Sequence, residues 1–249
     1  RRAVLLGLLA LHQAQGKLGG GGGEKASGPA AAVVFGTDQG MVGGFNERLA
    51  ETAQATLSGQ EAPGEPLLLA VGERARAQLL AAGLPAGDHL PVPGNVDGIN
   101  PGVQDILFVL EEWLAGPRPS SVHLVFCRQV SGAAYQPESL RLLPVDWDWF
   151  HQEAPEGWPG PTLPYFTMEP SRLYAALFRQ YMFIQIYRCF AQTLASENAA
   201  RLAAMQGAEK NIEEMLQELR SLYNQQRQMA ITGEILEIAG GFEALRETD

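Results

Sequence analysis

The chain has 249 residues and a formal net charge of −10 at pH 7, with 18 lysines and arginines against 28 aspartates and glutamates. This acidic balance argues against nucleic acid as a partner, because phosphates would be repelled. At this length the chain can hold one globular domain together with an extended rod. Its cysteines, Cys127 and Cys189, form neither a Cys-x-x-Cys motif nor a zinc-ligand spacing. We expect two reduced core thiols in a reducing compartment.

The N-terminal segment, residues 1–15, carries two arginines, a short apolar run and small residues. This is the outline of a secretory signal, and the run is too short to cross a membrane as a helix. Residues 16–29 follow with five consecutive glycines. We interpret them as a flexible linker, because such a run maintains neither helix nor sheet.

Residues 30–166 alternate apolar strands with amphipathic helices. We predict strands at 31–35, 66–71, 122–127 and 139–145, and helices at 46–56, 74–82 and 103–114. Asn46 is the expected N-cap of the first helix and Gly83 the expected C-cap of the second. Strands that alternate with helices imply a small, Rossmann-like α/β domain with an open, mostly parallel sheet of four or five strands.

A glycine-rich turn follows the first strand, at a place where phosphates often bind to helix N-termini. Its glycines do not give the G-x-G-x-x-G spacing, and no Lys-Ser or Lys-Thr pair follows them. We therefore interpret the segment as a structural turn, in which the aromatic ring anchors the next helix to the sheet. The residues concerned are Gly40, Gly43, Gly44, Phe45 and Asn46.

No catalytic constellation is recognisable in the sequence. The four histidines are scattered without metal-ligand spacing, and no Gly-x-Ser-x-Gly elbow exists. Capping explains Asp38, Asp97 and Asp105 at turns and helix starts. His123, on an apolar strand, is expected to be a core histidine with satisfied hydrogen bonds. We predict a noncatalytic chain with no metal and no cofactor.

The last third of the chain, from Ser171 onward, contains no proline and can form one helix about 110 Å long. Apolar residues recur at three- and four-residue spacing, which predicts a coiled-coil seam. The pattern then slips by two places near residue 230, so the two halves need not face one partner. An amphipathic pair inside a bundle is the alternative, and the length favours the coiled coil. The predicted core residues are Met205, Ile212, Met215, Leu219, Leu222, Met229, Ile231, Ile235 and Ile238.

Three blocks of sequence carry a family resemblance: FGTDQGMVGGFN at 35–46, YFTMEPSRLYAAL at 165–177, and YNQQRQMAITGEILEIAGG at 223–241. In order and spacing they resemble the glycine turn, the start of the long helix and the C-terminal signature of the gamma subunit of F-type ATP synthases. Phe242 stands where that family has alanine, and Met41 and Val42 stand where it has leucine and cysteine. These departures indicate a divergent branch, with the alternative operon type as our hypothesis.

The resemblance implies a noncatalytic rotor of the central stalk, which couples ion flow to ATP synthesis or hydrolysis on the beta subunits. Residues 167–249 would then be a long helix that pairs antiparallel with an N-terminal helix, of which residues 1–15 would be a remnant. We favour this remnant over the secretory signal. The implied contacts of the rod with the beta subunits are Arg227, Gln228, Thr232 and Glu234.

The implied partners are the alpha and beta subunits of the catalytic hexamer, the epsilon subunit and the ring of membrane c subunits. The implied place is the cytoplasmic face of the bacterial inner membrane, as a peripheral protein. Two rival interpretations remain at this point. One is a small ligand-binding α/β protein with its site at the carboxyl edge of the sheet, and the other is a coiled-coil adaptor unrelated to ATP synthase.

Overall fold

The computed structural model describes residues 28–60, 62–132, 134–145 and 167–246. The predicted N-terminal segment 1–15 and most of the linker 16–29 lie outside these residues. The chain divides into two compact units, Arg1–Arg201 and Leu202–Asp249. Among the described helices, none contains a stretch apolar enough to cross a membrane.

The first unit contains one five-stranded sheet in the order β3-β2-β1-β4-β5. Strands β1 to β4 run parallel and β5 is antiparallel to β4. The mostly parallel sheet predicted from the sequence is therefore confirmed. The strands are β1 Ala30–Phe35, β2 Leu67–Val71, β3 Ala86–Leu90, β4 Ser121–Ser131 and β5 Ala134–Leu143.

Strand β3 was not predicted, and the two strands predicted at 122–127 and 139–145 stop short of the hairpin that β4 and β5 form. Strand β3 lies at the edge of the sheet, and β2 is its one partner among the described strands. Its sequence, AGDHL, lacks the apolar run that marks a strand buried on both faces. The hairpin extends beyond the predicted ends because its far residues are exposed and polar, while the backbone ladder continues to the pair Ser131 and Ala134.

The described residues form four helices: α1 Phe45–Ser58, α2 Glu73–Ala81, α3 Ile99–Ala115 and α4 Pro170–Arg246. The first three, and the part of α4 that belongs to the first unit, pack on the sheet. Strand β1 is buried throughout, and its alternate residues enter two separate cores. One core joins the sheet to α3 and to the first part of α4. The other joins it to α1 and α2. The first unit is therefore a three-layer sandwich, and the domain boundary predicted at 166/167 stays a prediction.

Two predicted helix starts differ from the structure. Helix α3 begins at Ile99 and not at 103, because Pro101 is tolerated in a first turn, where its missing N–H has no helical partner. Asn46 is not an N-cap: Gly44 holds that position without a side-chain hydrogen bond, and Asn46 lies inside α1. Helix α2 ends with Ala82 as its C-cap, and Gly83 follows with a φ of 77°.

Both cysteines are free and buried, as expected for core thiols. Burial raises the pKa of the Cys127 thiol to about 12 and raises that of Cys189 as well. Because the thiolate is the nucleophile, the reactive fraction of Cys127 near pH 8 falls by about a thousandfold.

We therefore expect neither Cys127 nor Cys189 to react with iodoacetamide near pH 8 in the folded chain. Both should be alkylated once a denaturant unfolds it. Mass spectrometry of protein labelled with and without denaturant measures this difference. Rapid labelling of Cys127 under native conditions would contradict the burial that the structure gives it.

Candidate functional site

The second unit consists of helix α4 from Leu202 onward, and it presents a long apolar surface. Each of the nine predicted core residues has at least 45% of its surface exposed. No residue that the structure describes buries this seam. Since large exposed apolar patches mark interaction sites, the surface is a candidate functional site. We name it the apolar stripe: Met205, Ile212, Met215, Leu219, Leu222, Met229, Ile231, Ile235 and Ile238.

The apolar stripe is wider than a two-stranded seam requires. Leu216 lies one helical turn after Ile212, and Tyr223 lies one turn after Leu219; both are exposed. Neither residue was predicted, because neither lies at one of the two seam positions of the heptad. Three apolar positions per heptad form a broader face than the two-position seam of a coiled coil.

The stripe changes direction along the helix. At 100° per residue, the seam from Met205 to Leu222 and the later group of Ile231, Ile235 and Ile238 point in directions that differ by roughly 130°. The helix is continuous through this change. Its apolar surface is therefore asymmetric about the helix axis, and a rotation of the helix would present different chemistry to a fixed neighbour.

The four predicted contact residues lie at the slip in the stripe, and all are exposed. Arg227 and Glu234 are seven residues apart and share one face of the helix. The Thr232 hydroxyl donates a hydrogen bond to the Gln228 carbonyl over 2.8 Å, which occupies this hydroxyl within the helix. The Gln228 amide, the guanidinium and the carboxylate are thus the polar groups of this set that face outward for a partner.

The glycine turn of the first unit is held by Asn46. Its Oδ1 accepts from the Thr37 N–H over 3.2 Å, and its Nδ2 donates to Thr37 Oγ1 over 2.9 Å. Phe45 is completely buried, with its ring 4.8 Å from that of Tyr135. Met41 and Gly43 have φ near +60°, which lets the turn reverse tightly. This geometry supports the structural interpretation of the turn.

A carboxylate of the turn, that of Asp38, occupies the N-terminus of the neighbouring helix α2. Asp38 Oδ1 accepts from the Glu73 N–H at the start of α2, and its Oδ2 accepts from the Val92 N–H, both over 2.8 Å. A phosphate at this helix terminus would meet a negative charge that already uses the N–H donor. The role of Asp38 is therefore capping, as the sequence predicted, but of a helix that begins 35 residues later.

Helix α4 occupies the carboxyl edge of the sheet between β1 and β4. In doubly wound folds this crevice, where the strand order reverses, is the usual ligand site. Here Ser196 Oγ donates to the Cys127 carbonyl over 3.2 Å, and Ala200 belongs to the core on the α1 side. A recess beside them, lined by Phe35, Ile99 and other side chains, has about 230 Å³ including open solvent.

His123 differs from the prediction. It is buried, but its Nε2 has no hydrogen-bond partner among the described residues. Burial, and then the positive charge of Arg141, lower the pKa of His123, which keeps the imidazole neutral near pH 7. In the part of the chain that the structure describes, no group of three metal-ligating side chains comes together.

Comparison of the sequence with known proteins identifies the family of the chain. A family model described as ATP synthase matches residues 9–245. The ATP synthase gamma chain of Desulforamulus reducens is 32% identical over 218 residues, which is 86% of this chain and 73% of that protein. The gamma chain of Parafrankia sp. is 34% identical over 227 residues, with 87% and 73% covered.

Two solved structures share the fold. A chain of the Euglena gracilis mitochondrial ATP synthase in rotational state 3 has a TM-score of 0.62 at 19% identity, with 88% of this chain and 73% of that chain covered. A chain of the central stalk and c-ring of the Tetrahymena thermophila mitochondrial ATP synthase has a TM-score of 0.54 at 19% identity, with 83% and 98% covered. The sequence matches confirm the resemblance that three motifs showed, and the fold agrees with it. The chain belongs to the ATP synthase gamma chain family.

Proposed function

We infer that this chain is the noncatalytic rotor of the central stalk of an F-type ATP synthase, coupling ion flow through the membrane sector to ATP synthesis or hydrolysis on the beta subunits. The observation that carries this inference is the apolar stripe, exposed on a continuous helix and asymmetric about its axis. Membership of the gamma chain family supports it.

The asymmetry of the stripe provides the mechanism. A rotor can bias one catalytic site over another only if its faces interact differently with the neighbours it meets. As α4 turns inside a ring of alternating alpha and beta subunits, each beta subunit meets first the seam around Met215 and later the group around Ile235. The apolar surface slides in an apolar collar, while the differences between faces drive each catalytic site through open, loose and tight states.

The partners that we propose are the alpha and beta subunits, the epsilon subunit and the ring of membrane c subunits. The Tetrahymena neighbour, a chain of a central stalk and c-ring, supports the last of these. We place the chain on the cytoplasmic face of a bacterial inner membrane, as a peripheral protein. Bacterial relatives such as those of Desulforamulus and Anaeromyxobacter support this assignment.

Native mass spectrometry tests the proposal, with the chain co-expressed with the alpha and beta subunits from its own genome. One copy bound to three alpha and three beta subunits is the expected result. A chain that forms only its own oligomers and ignores the hexamer would overturn the proposal and favour the coiled-coil adaptor. The ligand-binding alternative is not favoured, because α4 fills the crevice in which a ligand would lie.

Arg227 and Gln228 are proposed to hydrogen-bond loops of a beta subunit, as the family resemblance of the C-terminal motif implies. A planar guanidinium suits backbone carbonyls and carboxylates at such a contact. Replacement of both residues by alanine is expected to lower coupled turnover by at least about tenfold, because a hydrogen bond to a charged group contributes roughly 1.5–3 kcal/mol.

Coupled ATP synthesis in vesicles that contain the complete complex measures the effect of the Arg227 and Gln228 exchange. Arg172→Ala is the matched control, since it removes an exposed arginine from the same helix within the first unit. The helix itself should be unaffected, because alanine favours helix at both positions. Unchanged turnover in the double variant would show that this contact assignment is wrong.

A further inference from the structure

The turn of α4 that lies at the carboxyl edge of the sheet carries a buried ion pair. Glu197 is 5% exposed, and its Oε1 lies 2.6 Å from Arg201, whose side chain is 18% exposed. The second carboxylate oxygen of Glu197 and the Nε of Arg201 have no hydrogen-bond partner among the described residues. Both residues belong to the first unit.

Burial of this ion pair in the crevice is costly in free energy. Removing two charges from water costs several kcal/mol per ion, and the attraction between them compensates only when the remaining lone pairs and protons are bonded. Here they are not. Burial raises the pKa of Glu197, and the nearby negative charge of Asp38 raises it further, while Arg201 opposes both effects. Apolar side chains of similar volume would fill the same space without this cost.

The groups around the pair differ from one side of α4 to the other, so they favour one rotational position of the helix. On one side, Ser196 is hydrogen-bonded to the carbonyl of Cys127 in β4. On another, the field of Asp38 acts on Glu197, and Asp38 is itself held by backbone groups at the start of α2 and after β3. A rotation of α4 by one residue, about 100°, would move the charged side chains towards the apolar cores on either side.

Apolar contacts alone would not resist such a rotation strongly, because hydrophobic association is non-directional. A buried polar residue, by contrast, specifies one register of packed helices at a cost in stability. A rotor helix requires this property, since torque about its axis acts on the place where the α/β unit holds it. Apolar side chains would give higher stability here, whereas polar side chains specify the register. The chain carries the polar pair.

We propose that Glu197 and Arg201 are positioning residues that fix the angular position of helix α4 in the crevice of the α/β unit, so that torque is transmitted without slip. This proposal rests on the proposed rotor function. It adds a role for the pair that is separate from the contacts of the second unit, because neither residue belongs to the apolar stripe.

The test separates register from stability by the double variant Glu197→Leu with Arg201→Met, which keeps the volume and removes the charges. Its thermal midpoint is expected to equal or exceed that of the unmodified chain. In the complete complex in vesicles, ATP hydrolysis should continue, while ions pumped per ATP hydrolysed should fall at least threefold. The matched control is Glu111→Leu with Arg179→Met, an exposed pair 3.2 Å apart that links α3 to the same helix.

The outcomes distinguish this proposal from the rotor function itself. If the unmodified chain assembles and couples, the rotor function stands. A double variant that couples as well as the control would then overturn the role of the pair alone. The single variant Arg201→Lys retains the positive charge without the planar guanidinium. We expect it to pump at least half as many ions per ATP hydrolysed as the unmodified chain. If the double variant does not fold, Arg201→Lys decides the question, and a folded Arg201→Lys chain that couples at less than half of the unmodified ratio overturns the proposal.

Discussion

Replacement of Met215 and Leu219 by glutamate is expected to prevent the chain from joining the catalytic hexamer. Each of these side chains is more than half exposed in the described structure, and each contributes roughly 1.5–3 kcal/mol when a partner buries it. Loss of both, with two charges placed in an apolar contact, lowers the affinity by at least about a hundredfold. Native mass spectrometry of the co-expressed subunits would show the hexamer without this chain.

The matched control for the Met215 and Leu219 exchange introduces the same charges on the opposite side of the helix, at Gln217 and Asn224. Glutamate is a good helix former at all four positions, so helix content by circular dichroism should be the same in both variants. The control should still assemble at one copy per hexamer. Assembly of the stripe variant at the unmodified level would contradict the role that we assign to the stripe.

Replacement of Gly72 by alanine is expected to destabilise the first unit by about 3 kcal/mol or more. Gly72 has a φ of 106°, and a Cβ there would lie 2.6 Å from the Thr37 carbonyl oxygen. The backbone strain costs on the order of 1–3 kcal/mol, and the displacement of Thr37 costs a similar amount. The displacement would also disturb the bonds of Asn46 to Thr37. Urea unfolding measures the change in the free energy of unfolding.

Gly83 supplies the control for the Gly72 exchange, because it has a φ of 77° but no heavy atom within 4 Å of a built Cβ. Gly83→Ala should therefore lower the free energy of unfolding only by the cost of the left-handed conformation, about 1–2 kcal/mol. The difference between the two variants isolates the contact with Thr37. Equal losses at the two positions would show that the backbone adapts and that the close approach has no energetic consequence.

The first-unit fold was predictable where burial is strong on both faces of the sheet. Strand β1 is apolar throughout because both of its faces are buried, so its sequence alone identified it. Strand β3 was missed because an edge strand needs little apolar surface, and its residues are held by the backbone ladder to β2. The start of α3 was predicted four residues too late, at 103; the first turn of the observed helix contains Pro101, which a first turn tolerates.

Some residues of the candidate site were predictable from the sequence pattern, and others rest on the family resemblance. The seam residues from Met205 to Ile238 were found from their spacing, because a helix brings residues three and four apart to one face wherever it lies. Leu216 and Tyr223 followed the same rule and could have been found by counting a third position in each heptad. Contact residues such as Arg227 rest on the family resemblance, since an exposed arginine on a helix carries no signal of its own.

By itself, the sequence determined the long proline-free helix, its apolar periodicity, the parallel strands and the family, because each of these depends on local spacing or on a contiguous motif. Only the tertiary structure decided that Ser196 meets Cys127, 69 residues away, and that Asp38 caps a helix 35 residues later. It also placed Glu197 and Arg201 in the crevice of the sheet. Such encounters join groups that are distant in the chain, and only the packing of the whole unit decides which polar groups lose water together.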